Sequence, residues 1–391
     1  GRSSATTVLT LSALNLMYAN GGESSAKLLG FTDNRQDAAL QSGHFNEFIF
    51  TVTLRSALLR ALEQAPDQKI ESGEIASLVF NALGFKTTDQ AILAEYLDNP
   101  ALIGGALRDA QRTLTFMLGY RLHADLGREW RFNNPNLEQL RLVKIGYNWL
   151  NEVINSDKLQ KSEILASLSV KKRQRFAELV FNHLRKSLCI RSDYFENDEQ
   201  EFARKKGNGY LLESWRFPSE RDHLDYAKDL YLFRNRKADL QQNETTKRAD
   251  RVLTKKAAVS GSFSSRLFKV LYRGHDGSGA SVWRNTQWTA DSGSTKFAAT
   301  PENKAHLFDA VATLLMAAND AGIVEAVNIG SASLGGPGIS TAGLPSFSIM
   351  HPGAVPLKFS ITSAPSGIYA CFTLFSVMGT FIFSKNAFIL F

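Results

Sequence analysis

The chain has 391 residues, and its 45 lysines and arginines against 38 aspartates and glutamates leave a net charge of +7. Hydrophobic residues make up 44% of it, enough to build real cores in two or three domains, which excludes a disordered chain. Cys189 and Cys371 lie too far apart for metal-ligand spacing, and Arg2 is followed by a mixed Ser/Thr/Leu stretch, so neither a disulfide framework nor secretion is expected, and a reducing, cytoplasmic setting is.

Val8, Leu11, Leu14 and Tyr18 recur at helical spacing and predict a helix over 7–19, which Gly21 and Gly22 break. The short apolar run 27–32 suits a covered parallel strand, and Thr32, Asp33 or Asn34 can cap the helix that follows. Free backbone N–H groups at that helix start, with Arg35 and Gln36 beside them, form an anion site able to hold a phosphate. Spacing alone is equally served by an ordinary strand-to-helix turn of an α/β domain. Over 35–63 the apolar positions Leu40, Phe45, Phe48, Ile49, Val52 and Leu58 recur every three or four residues without a proline, which predicts one long helix or two end to end.

From 66 to 256 the pattern is helix after helix, with helices predicted over 71–83, 89–97, 102–118, 159–170 and 171–188. A short strand within 140–147 follows a turn cluster at 131–137. Basic clusters stand at 171–175, 204–206, 234–237 and 247–256, each near aromatics such as Phe176, Phe202, Tyr210, Trp215 and Phe233. Basic groups for phosphates and ring faces for bases are what a nucleic-acid channel needs, and Arg173 and Arg175 are the leading candidates. Ordinary solvated helix faces have the same composition, because Glu196, Asp198, Glu199 and Glu201 are interspersed.

Beyond Lys255 the composition shifts to Ser, Gly and Thr, marking a new unit. A short helix is predicted within 260–273, with Arg266, Lys269 and Arg273 on related faces, followed by a turn-rich stretch over 274–294. Pro301 starts a helix reaching 321, and 322–327 reads as a stop and a strand. Helix, glycine turn and strand is how a winged-helix unit ends, and the same junction is common elsewhere.

The stretch 329–391 has Lys358 and Lys385 as its only charged residues. Its apolar run 367–383 is 17 residues long, short of the roughly 20 that span a bilayer, so no membrane anchor is expected. A reading-frame slip is the expectation instead. If Gly338 to Pro345 were encoded GGG-ATA-TCA-ACT-GCC-GGC-CTT-CCG, the same bases read one position later would give Gly-Tyr-Gln-Leu-Pro-Ala-Phe, an ordinary continuation after a terminal strand.

The string FTDNRQDAALQSGHF at 31–45, together with GRSSATTVLTLSAL at 1–14, resembles the start of the second RecA-like lobe of large superfamily 2 DEAD/DEAH-box helicases. The resemblance extends through Leu137-Glu138-Gln139 and the basic helix near Lys171 to about residue 327, with its specific signal in residues 1–65. It implies that 31–45 is helicase motif IV, which lies near the nucleic-acid backbone, and that the parent protein uses ATP and Mg²⁺.

The departures are specific. No G-x-x-x-x-G-K-[ST] phosphate loop and no Q-x-x-G-R-x-x-R arginine-finger motif occurs, so this chain by itself is expected to hold no cofactor, supply no catalytic residue and hydrolyse no ATP. The tetrad Asp198-Glu199-Gln200-Glu201 follows a polar run rather than an apolar strand and reads as solvated charge. No H-E-x-x-H pair or G-x-S-x-G elbow occurs.

The expected fold is therefore mostly α with a small α/β part: the start of a second RecA-like lobe over 1–65, a helical insertion over 66–256, a winged-helix-like unit over 257–328 and an irregular tail over 329–391. The expected function is an internal part of an ATP-dependent nucleic-acid helicase or translocase, with Thr32, Asp33, Asn34, Arg35, Gln36, Arg173, Arg175, Arg266 and Arg273 touching nucleic acid, DNA ahead of RNA. The remaining segments of the parent chain are its other partner. The alternative is a non-catalytic helical protein-interaction module whose basic clusters only keep it soluble.

Overall fold

A computed structural model describes residues 35–127, 135–217, 224–232, 265–273 and 301–328, with shorter pieces at 12–13, 16–17, 20, 28–29, 258–261, 339–341, 348–350 and 389–390. Ser12, Ala13, Leu16 and Met17 are helical, as the spacing over 7–19 predicts, and so is Asn20 just beyond it. Strand β1 (Leu28–Leu29) lies within the predicted run 27–32. Helix α1 (Arg35–Gln64) is a single helix of 30 residues rather than two. Gly43 costs such a helix about 1 kcal/mol against alanine, which the packing of Leu54, Ala57, Leu58, Ala61 and Leu62 in its buried second half outweighs.

Strand β2 (Lys69–Glu71) takes the first residue of the helix predicted over 71–83, a turn occupies 72–74, and helix α2 (Ile75–Ala82) starts later. Ile70 is wholly buried in that strand, so burial of one β-branched side chain prevails over the helical pattern. Asp89 caps the short helix α3 (Gln90–Leu93), accepting from the Ala91 N–H at 2.8 Å. Helix α4 (Gly104–Gly127) extends beyond the predicted 102–118, because Leu122 and Leu126 continue the buried stripe of Leu107, Ala110, Leu114, Met117 and Leu118.

Strand β3 (Lys144–Gly146) falls within the expected 140–147. Helices α5 (Leu150–Ile154), α6 (Glu163–Ser167), α7 (Val170–Lys186) and α8 (Asn197–Tyr210) complete the middle of the molecule. The helix predicted over 159–170 is broken where the Ser162 hydroxyl accepts from the Leu165 N–H and ends the 3₁₀ stretch Asp157–Lys161. Strands β4 (Asp229–Leu232) and β5 (Ala258–Gly261) come next.

Helix α9 (Arg266–Arg273) and helix α10 (Pro301–Asp320) match the predicted segments, with Pro301 as the first residue of α10. Gly322 at φ 70 closes α10: its N–H bonds to the Asn319 carbonyl and the Ile323 N–H to that of Ala318. Strand β6 (Ala326–Asn328) follows, so the expected helix, glycine stop and strand are present.

Strands β7 (Ile339–Thr341), β8 (Ser348–Met350) and β9 (Ile389–Leu390) come from the tail. The short strands form small ladders in the orders β1-β9, β2-β8-β3 and β5-β4-β7-β6, with β1-β9 and β4-β5 parallel and the other pairings antiparallel. The described residues are mostly helical with few strands.

One buried cluster runs from Leu54 to Val324. Helix α10 packs on α6 and on the 3₁₀ stretch 157–161, and α9 packs on α7. The rings of Phe268 and Phe308 stack at 5.7 Å. Buried residues on both sides of the expected division at 256/257, such as Leu232 and Leu267, belong to this cluster.

Candidate nucleic-acid interface

Thr32, Asp33 and Asn34 of the predicted anion site lie outside the described residues. The backbone on either side has the expected form, with a strand at Leu28–Leu29 and a helix opening at Arg35 and Gln36. Helix α1 packs against α2 and α4.

Arg173 and Arg175 lie near the start of α7, whose buried face is Phe176, Ala177, Val180, Phe181 and Leu184. Arg173 sits three and four residues before Phe176 and Ala177, on the same stripe, and its guanidinium turns inward. Its Nε donates to the Leu168 carbonyl at 3.2 Å and its Nη1 to the Ile154 carbonyl at 3.4 Å, satisfying two chain ends that no helix pairs. Arg175 lies off the stripe, 42% exposed, with Nη1 3.6 Å from Glu178 Oε2. Arg266 is half-buried at the start of α9, and Arg273 ends that helix. Contact between α7 and α9 therefore brings these two arginine pairs onto neighbouring helices.

Other basic residues are built into the interior. Arg55 makes a two-pronged pair with Asp125 at 2.8 and 2.7 Å and donates to the Pro135 carbonyl at 3.0 Å. Arg185 is 1% exposed, pairs with Glu138 Oε2 at 2.7 Å and donates to the Leu126 carbonyl at 2.9 Å. Burial alone would lower the affinity of Arg185 for its proton, but Glu138 and the Tyr147 hydroxyl hold it above the ordinary arginine value. For Glu138 burial acts upward, and the charges of Arg185 and Lys186 pull its carboxyl below the usual range. Glu138 belongs to the Leu137-Glu138-Gln139 stretch of the resemblance, and here its carboxylate pairs with Arg185 and Lys186 at the end of α7.

The 198–201 tetrad divides in two. Gln200 is 1% exposed and donates to the Tyr194 and Asp225 carbonyls at 2.8 and 2.7 Å, whereas Glu201 pairs outward with Arg204 at 2.9 Å. A tethering glutamine inside an acidic run has no signature in composition; only its one-turn spacing to the buried Ala203 marks it.

Among the described residues no group of His, Cys, Asp and Glu is arranged to hold a metal ion, and no helix is long and apolar enough to cross a membrane. No family model, no curated protein and no solved structure matches the chain.

Proposed function

We propose that this chain is part of a superfamily 2 nucleic-acid helicase or translocase and contributes the motif IV corner at 32–36 to the sugar-phosphate backbone of a bound strand. The observation that carries the reading is the motif string itself, FTDNRQDAALQSGHF. Support comes from the local backbone, in which a strand at Leu28–Leu29 is followed by a helix that begins at Arg35. That order is what a phosphate-facing helix start requires. ATP and Mg²⁺ belong to segments carrying a phosphate loop, and this chain's share is to position the strand.

The test is binding of single-stranded DNA to the whole chain. Affinity is expected to fall steeply with salt and to weaken several-fold for Arg35→Ala, because each lost phosphate contact removes about one unit from the salt slope. Absence of binding at low salt would overturn the reading. It would leave the helical interaction module, a second reading favoured by one observation: Arg173 and Arg185 are used inside the fold rather than offered to a ligand.

A further inference from the structure

Phe202 is 60% exposed, and among the described residues it is the only aromatic among the large hydrophobics left so open to water. A single exposed apolar side chain is unremarkable in itself. This one stands in a row. On α8 the positions 202, 206 and 210 follow one another at helical spacing of four, so Phe202, Lys206 and Tyr210 share one face.

The Lys206 ammonium lies 5.7 Å from the centre of the Phe202 ring and 5.8 Å from that of Tyr210, close enough to attract both. Its third partner is Asp109 on α4, at 3.5 Å. Lys206 thus lies between two rings, Phe202 open to water and Tyr210 half-buried against the core. Lys205, 72% exposed, is three positions from Phe202 on the same side, and its contact with Glu201 is long at 3.8 Å. Arg108 and Arg112 flank Asp109 on α4 and are exposed. Of the acidic groups nearby, Asp109 is paired with Lys206 and Glu201 with Arg204, while Asp198 and Glu199 are exposed one turn before Phe202 and bound the row at its amino-terminal end. Gly209 continues the face, and a side chain built there would meet nothing within 4 Å, so the space beside Tyr210 is open. Neither packing nor backbone conformation demands that glycine.

We infer that the Phe202–Lys206–Tyr210 row on α8 is a binding surface for single-stranded nucleic acid, on which a base stacks against Phe202 while Lys205 and Arg112 meet the adjacent phosphates. Rings supply a sequence-tolerant face, and mobile cations beside them supply the attraction to the backbone. The inference rests on the nucleic-acid reading above only for its class of ligand, since it uses none of the motif IV residues.

The experiment titrates the whole chain into fluorescein-labelled oligothymidylate of about 15 nucleotides, and into an abasic deoxyribose strand of the same length. Phe202→Ala is expected to weaken oligothymidylate binding roughly tenfold and leave abasic binding nearly unchanged, since one stacked base contributes about 1–3 kcal/mol. Phe202→Trp is expected to restore the preference for the strand with bases. Equal binding of the two strands by the native chain, or an unchanged preference in Phe202→Ala, overturns the inference. Failure here with Arg35→Ala still weakening binding leaves the motif IV reading standing, the reverse pattern leaves this surface standing, and no binding to either strand removes both. Circular dichroism of Phe202→Ala is expected to match the native chain, because the side chain is already largely in water.

Discussion

The basic residues of α7 and those of α8 look alike as strings and differ in what they do. In α7, Arg173 and Arg185 point inward, one to carbonyls at 154 and 168, the other to Glu138 and the Leu126 carbonyl. On α8, Lys205 stands 72% exposed on the solvent side and Lys206 lies across the surface towards Asp109 of α4, so neither charge enters the core. What separates them is phase against the apolar stripe. A cation three or four residues from a buried aromatic is drawn into the fold, and one on the far face stays free for a ligand.

The strongest way to break this contrast is to remove an inward charge. Glu138→Ala removes the carboxylate that balances the buried charge of Arg185, and the folded state is expected to lose about 3–5 kcal/mol in urea denaturation. Replacing both partners by apolar residues, Glu138→Leu with Arg185→Met, is expected to recover much of that. If Glu138→Ala behaved like a surface substitution, the division between interior and exterior cations would be mistaken.

Acid should act on the same interior. His123 is 5% exposed, its Nδ1 lies 2.8 Å from the Gly119 carbonyl, and burial lowers it to about 4. An unfolded histidine titrates near 6.5, so the unfolded chain takes up the proton first as pH falls. The stabilisation is present in full above about pH 6.5 and is lost towards pH 4, at most on the order of 3 kcal/mol. His183, also lowered to about 4 by burial, adds to the same window. Urea midpoints at several pH values are expected to trace this decline, and His123→Phe to flatten it. A slope unaltered by that substitution would place the titrating group elsewhere.

Arg173→Ala is a smaller test of the inward set. It frees two carbonyls and is expected to cost about 1–2 kcal/mol of stability while the salt slope of oligonucleotide binding stays unchanged. A reduced slope with unaltered stability would return Arg173 to the nucleic-acid surface.

How much of this was legible in the sequence follows the same line. The long helix from Arg35, the start of α10 at Pro301 and its stop at Gly322 come from local rules of periodicity, φ restriction and left-handed freedom, and they are present where expected. Strand β2 was hidden, because Lys69-Ile70-Glu71 is too short to show alternation and is defined by its partner β8, which is far away in the chain. For the candidate surfaces, composition located the clusters without sorting them. Arg173 was separable in principle by its spacing to Phe176 and Ala177. The exposure of Phe202 was not, since an aromatic in a charged helix reads as a core anchor until its neighbour Ala203 is seen to occupy the buried position instead.

The smallest expected effect falls on the exposed side. Lys205→Ala removes a side chain that is 72% exposed and only distantly paired with Glu201, so stability is expected to stay within about 0.5 kcal/mol of the native chain. Its contribution to binding is electrostatic and non-specific: one phosphate contact fewer lowers the slope of log affinity against log salt by about one unit, alike for strands with and without bases. Phe202→Ala is expected to do the opposite, leaving the slope and removing the preference for bases. The two substitutions therefore move different observables from positions one helical turn apart. If Lys205→Ala and Phe202→Ala instead changed the same quantity by the same amount, the row on α8 would be acting as a patch of charge, and the stacking role assigned to its rings would fall.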